Sequence, residues 1–154
     1  MERRFTILIA ERNPRIRRFL QRELIAVGYL VILAENGLDL ARIIGREETL
    51  DLMILDDELS GLDLPRTVEQ LSNRVPPLPF VIYSFSPETM DRSLLGTAAA
   101  AVEKTGNIDN LMEAVKGVLR GEHPCRFGAS EGRHLKGDVR NFGDPASTMG
   151  TFKR

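Results

Sequence analysis

A chain of 154 residues with 42% apolar and 28% charged side chains has room for one hydrophobic core with extensions, and this balance excludes disordered, collagenous and membrane-embedded classes. Its formal net charge of −1 gives no overall attraction for nucleic acid or anionic lipid. The longest apolar runs, Phe5 to Ala10 and Phe80 to Tyr83, fall far short of the roughly 20 residues that cross a bilayer. Met1 to Arg4 opens no signal peptide, and the lone Cys125 has no partner for an internal disulfide. The expectation is a cytoplasmic protein without a membrane segment.

Phe5 to Ala10 is β-branched and continuously apolar, which suits a strand buried on both faces of a parallel sheet. Asn13-Pro14 then reads as an N-cap and first helical position. Ile16, Phe19, Leu20, Leu24 and Val27 recur along one helical face, Arg15, Arg18 and Arg22 line another, and Gly28 ends the run. The spacing next predicts a strand over Tyr29 to Ala34 and a helix from Leu38 to about Arg46 after the Asn36-Gly37 turn. A strand over Leu52 to Asp56 and a helix from Leu62 to Leu71, with Pro65 in its first turn, follow. Beyond Val75 to Pro79 come a strand at Phe80 to Ser84 and a helix from Ser86-Pro87 to about Leu95. A strand within Ala98 to Glu103 and a last helix from Ile108 to Leu119 complete five βα units. Such alternation predicts an α/β domain of three layers, a parallel sheet between helices, over residues 1–121. From Glu122 to Arg154 the glycine-punctuated polar sequence has no periodicity and reads as a flexible C-terminal tail.

Ligands of open parallel sheets bind at the carboxyl ends of the strands. Those ends carry Glu11 and Arg12, Asp56 and Asp57, Ser84, and Lys104. Carboxylates, a hydroxyl and an ammonium in one cleft suit a divalent cation or a phosphoryl group. His123, Cys125 and His134 have no zinc-like spacing. A basic helix is ordinarily just a wet face, Asp57 and Glu58 read first as loop acids or partners of Arg12, and Lys104 has an alternative reading as a structural ion-pair partner.

Ile7 to Pro14, Ala34 to Gly37, Asp51 to Asp56, Gly61 to Asp63, Pro79 to Ser84 and Lys104 together resemble the successive signatures of response-regulator receiver domains, over about residues 1–121. The resemblance implies a (βα)5 receiver fold with a five-stranded parallel sheet in the order 2-1-3-4-5. It further implies that Asp56 is the phosphoacceptor, that Ser84 and Lys104 contact the phosphate, and that Mg2+ is held by Glu11, Asp56 and the backbone carbonyl of Glu58. Arg15, Arg18 and Arg22 would dock a sensor histidine kinase or phosphotransfer protein. The chain departs from the pattern where Arg12 replaces an acidic metal ligand, a change that sets Mg2+ binding against a guanidinium pairing with Asp56. Phe85 stands where a small residue leaves the pocket open, and Ala101 falls where β5 carries a switch aromatic. Thr105 and Ser60 replace prolines. The function implied is a stand-alone receiver in a two-component phosphorelay, acting on a downstream protein partner or as a homodimer. It would not be an enzyme beyond self-catalysed phosphoryl transfer at Asp56, and no DNA-binding domain is expected. The alternative is a pseudo-receiver, a phosphorylation-independent binding or dimerisation module.

Overall fold

In the computed structural model, which describes residues 4–46 and 49–124, the continuous apolar runs become buried strands. β1 (Thr6–Ala10), β3 (Leu52–Asp56) and β4 (Phe80–Ser84) are covered along their whole lengths, as central strands between two helical layers must be. β2 (Leu30–Ala34) and β5 (Ala100–Glu103) form the edges and are more open. All pairings are parallel and the strand order is β2-β1-β3-β4-β5, the order expected from the sequence. The chain leaves β1 toward one edge and returns on its other side as β3, which opens a crevice beyond the carboxyl ends of these two strands.

The helices are α1 (Pro14–Ala26), α2 (Gly37–Arg46), α3 (Leu64–Ser72), α4 (Arg92–Thr97) and α5 (Asp109–Glu122). Leu8, Ala10, Met53, Leu55, Phe80 and Ile82 of the sheet pack with Leu40 and Ile44 of α2 and Leu71 of α3 in one buried cluster. Alternate strand residues point to the opposite face; there Ile7, Ile9 and Ile54 are buried, as are Leu20 and Leu24 of α1 and Leu111, Val115 and Leu119 of α5. Clustering of contacts separates a unit ending at Leu119 from one beginning at Arg120, and the whole sheet lies in the first.

Local signals explain the starts of the helices. The side chain of Asn13 accepts from the N–H groups of Arg15 and Ile16 at 2.9 and 3.2 Å, and Pro14 follows it. Asp63 caps α3, so that helix begins at Leu64 and not at Leu62. The helix expected from Ser86-Pro87 to Leu95 is instead two pieces, a 3-10 turn at Pro87–Thr89 and α4. Met90 is extended, and Asp91 caps a new start by accepting from the N–H of Ser93 at 2.9 Å. On α1 the expected apolar stripe is only partly inward, because Phe19 and Val27 are 37% and 50% exposed while Leu20 and Leu24 are sealed. The last helix continues past Leu119 to Glu122. The expected tail lies outside the described residues from Cys125 onward, and His134 with it.

Candidate functional site

Asp56 ends β3, and the chain turns at once so that both oxygens of its carboxylate meet donors. The N–H of Glu58 donates to Oδ1 at 3.0 Å and the N–H of Arg12 donates to Oδ2 at 3.1 Å. Lys104, just beyond β5, has its Nζ 3.2 Å from Oδ1 of Asp56 and 3.1 Å from Oε1 of Glu11. Asp56 and Glu11 are each 1% exposed. One ammonium thus stands between two buried carboxylates, an arrangement stable only because each charge has a partner.

Burial alone would push the Asp56 carboxyl up, but the N–H groups of Glu58 and Arg12 and the Lys104 ammonium outweigh it and hold it below the ordinary aspartate value. Glu11 goes the other way. Its burial and the nearby Asp56 charge raise its carboxyl above the ordinary value, against the lowering effects of the Asn13 N–H and of Lys104. Tyr83 is likewise raised, by burial and by the charge of Glu11.

The structure settles where Arg12 points. Its Nε lies 3.8 Å from Oδ2 of Asp56 and its terminal nitrogen pairs with the Glu58 carboxylate, so the guanidinium spans the mouth of the crevice with its side chain half-exposed. Asp57 is half-buried and is not among the ion-pair partners of Arg12. Ser84 is buried at the end of β4, where its Oγ accepts from the N–H of Ser86 at 3.0 Å and its carbonyl accepts from the N–H of Lys104 at 2.7 Å. That last bond is a rung between neighbouring strands, by which the end of β4 fixes where the lysine starts just beyond β5. Phe85 is 53% exposed, and its ring centroid is 4.9 Å from Nζ of Lys104, with Tyr83 at 5.7 Å. The Phe85 ring therefore lies beside the ammonium at the outer side of the cluster.

The residue types present do not fit a directly bound divalent cation. The Glu11 carboxylate is taken by Lys104 and the N–H of Asn13, and a guanidinium stands against Asp56. Among the described residues, no group of three or more His, Cys, Asp and Glu side chains is placed to hold a metal.

Two features of the site escaped sequence reasoning. Arg17 is only 13% exposed on its side chain and donates to the carbonyl of Glu11 at 2.7 Å. It falls on the same helical face as Leu20 and Leu24, three and seven residues on, and a cation on a core-facing stripe was the signal. The second is the approach of the α2 start to the loop after β3. The N–H of Gly37 donates to the Ser60 carbonyl at 2.6 Å, and a Cβ on Gly37 would sit 2.0 Å from the Gly61 carbonyl oxygen. By contrast Arg15, Arg18 and Arg22 are exposed on α1, as read from the sequence.

A parallel five-stranded sheet in this order, with buried carboxylates and a lysine at its β1/β3 crevice, defines an α/β receiver-type fold. Residues 7–116 match the family described as the response regulator receiver domain. Among solved structures, the response regulator TrrA from Thermotoga maritima, in complex with Mg2+-BeF, is 26% identical; the alignment covers 74% of this chain and 98% of that one, with a TM-score of 0.67. TrrA in complex with the histidine kinase ThkA is matched at 29% identity over 75% of this chain and 98% of that one, TM-score 0.64. The N-terminal domain of a response regulator/sensory box/GGDEF three-domain protein from Carboxydothermus hydrogenoformans shares the fold at 24% identity, covering 77% and 97%, TM-score 0.68. The chain belongs to the response regulator receiver domain family and carries a receiver domain of two-component signalling. No helix among the described residues is long and apolar enough to cross a membrane.

Proposed function

We propose that Asp56 is the phosphoacceptor of this receiver and that its output is a contact with a protein partner. The observation that carries the reading is geometric: the buried Asp56 carboxylate at the end of β3 accepts from the N–H groups of Glu58 and Arg12 and lies 3.2 Å from Nζ of Lys104, an oriented nucleophile with a cation beside it. An Asp56 oxygen attacks the phosphorus of a phosphohistidine on a sensor histidine kinase or phosphotransfer protein. The new O–P bond forms as the P–N bond breaks, and the imidazole leaves and takes up a proton from solvent. Lys104 and Arg12 would meet the charge that develops on the phosphoryl oxygens, and Ser84, buried one residue beyond the β4 partner of Asp56, is the hydroxyl that the family resemblance assigns to receive one. Arg12 supplies positive charge beside Asp56 where the family pattern has an acidic residue.

The exposed Arg15, Arg18 and Arg22, with Phe19 between them, support α1 as the docking face for the phosphodonor. A domain of residues 1–121 with a polar extension over 122–154, located in the cytoplasm, completes the proposal. A second reading, a pseudo-receiver fixed in one state, draws on the Arg12–Glu58 pair across the crevice and on Phe85 beside Lys104.

Acetyl phosphate separates the two. Intact mass after incubation, with magnesium and with EDTA, should show an adduct that Asp56→Asn abolishes, and beryllofluoride should shift the amide signals of Asp56, Ser84 and Lys104. No adduct and no shift in either metal condition refutes the acceptor role and leaves the fixed-state reading. Gain of an adduct only in an Arg12→Asp, Phe85→Ala double variant identifies those two side chains as the block.

A further inference from the structure

We infer that Arg17 is a positioning residue for the Asp56 site, acting through the peptide that joins Glu11 to Arg12. That peptide is a planar trans unit, so its carbonyl and its N–H point in opposite directions and turn together. The carbonyl belongs to Glu11 and accepts from a terminal nitrogen of Arg17 at 2.7 Å. The N–H belongs to Arg12 and donates to Oδ2 of Asp56 at 3.1 Å. Holding one end of the plane therefore aims the other.

The other anchor close by is the N–H of Asn13, which donates to Oε2 of Glu11 at 3.1 Å and holds the next peptide along, not this one. The ladder to β2 reaches its last rung when the N–H of Glu11 donates to the Ala34 carbonyl at 3.3 Å, and α1 is not fixed until its cap at Asn13. Arg17 closes this gap from inside the first turns of α1, with the same nitrogen also 3.5 Å from the Arg12 carbonyl. A guanidinium suits the task because its donors are held in a fixed planar fork, whereas a lysine's three donors turn at the end of a flexible stem. A surface ion pair does not account for its placement. Glu35 lies 3.8 Å away with its side chain 67% exposed, a separation and exposure at which an ion pair contributes little. The same peptide that Arg17 fixes also carries the Arg12 side chain over Asp56, so the position of the guanidinium at the crevice mouth depends on it as well. The functional consequence of this inference rests on Asp56 as acceptor; its structural content does not.

The test compares Arg17→Met, Arg17→Lys and Glu35→Gln by amide hydrogen exchange, with acetyl phosphate labelling of Asp56 as a second readout. Arg17→Met should speed exchange at the Arg12 N–H by about tenfold or more relative to the core amides of Leu8 and Ile54, as expected for loss of the bond that orients it. Arg17→Lys should fall between Met and the wild type, and Glu35→Gln should leave exchange unchanged. Labelling rates of Arg12→Ala and Arg17→Met should be non-additive when combined. Acceleration at Arg12 no greater than at Leu8 and Ile54, or an equal effect from Glu35→Gln, overturns the inference. Should Arg17→Met fail to fold, Arg17→Lys decides alone by whether exchange at Arg12 rises selectively. If the wild type takes no phosphoryl group, the acceptor reading fails while the exchange result still decides the role of Arg17.

Discussion

Replacing Lys104 with Met keeps most of the side-chain stem against Phe85 and Tyr83 but removes the one cation between Glu11 and Asp56. Two buried carboxylates then face each other, and the variant's least costly response is to protonate one of them. Glu11 is the candidate, since burial and Asp56 already raise its carboxyl above 4.5. Protonating a group of that ordinary value costs about 1.4 kcal/mol per pH unit above it, hence about 3 kcal/mol at pH 7 and less than about 1 at pH 5. The first figure agrees with the general cost of about 3–5 kcal/mol for breaking a buried ion pair. The sign follows from proton counting. An acid whose folded value is raised binds more protons folded than unfolded between 4.5 and its new value, so stability falls as pH rises through that window and levels off above it. Asp56 in the wild type contributes oppositely, adding stability above 3.8 that is lost as pH falls through its lowered folded value. Urea denaturation of Lys104→Met at pH 5, 6 and 7 should therefore show a deficit against the wild type that grows with pH, by at most about 2–3 kcal/mol, because the already raised Glu11 of the wild type loses some stability in the same window. A deficit that is the same at all three values would refute the coupled three-charge cluster.

Other perturbations read the frame that holds the site. Gly37→Ala drives a Cβ into the Gly61–Leu62 peptide, against its carbonyl oxygen and 2.8 Å from the Leu62 nitrogen, and backbone cannot swing aside as the end of a side chain would. It should cost about 1–3 kcal/mol or more by thermal melting, and a loss under about 0.5 would show that the two loops part freely. Gly117→Ala lies inside α5 with nothing within 4 Å of the new methyl, so it should add about 0.5–1 kcal/mol through helix propensity in the same assay. Asn13→Ala strips the cap from α1, with an expected loss of about 1 kcal/mol and faster amide exchange confined to Arg15 and Ile16.

The fold was legible because its signals are local. Continuous apolar runs such as Thr6–Ala10 and Leu52–Asp56 leave no polar face to expose, and Asn13-Pro14 announces a helix within two residues. The failures are equally physical. Ser86-Pro87 is a valid helix start, but Asp91 competes as a second cap five residues after Ser86, and only the path from β4 to the edge strand β5 decides that the chain breaks between them. Phe19 and Val27 have the helical spacing of core residues, yet sheet width, which no single helix encodes, decides how much of α1 is covered.

For the candidate site, strand-end position anticipated that Glu11, Asp56 and Lys104 meet, since topology carries them to one crevice, with Ser84 buried at the end of β4. Direction was harder. Arg12 could have pointed into solvent or across Asp56, and the sequence contains both outcomes, because what selects between them is a tertiary choice: Glu58 stands within reach of its far end and the Arg12 N–H is bound to Asp56. Arg17 shows the same limit from the other side. As a residue type it belongs with Arg15, Arg18 and Arg22, and only its helical phase separates an inward cation from outward ones. That phase matters chemically, because an inward guanidinium needs acceptors, and the available ones are the carbonyls of Glu11 and Arg12 that turn the chain over the carboxylate. In this receiver, then, arginines of one short segment act at different distances from the same oxygen pair. Arg12 meets Asp56 directly, while Arg17 acts one peptide plane behind it.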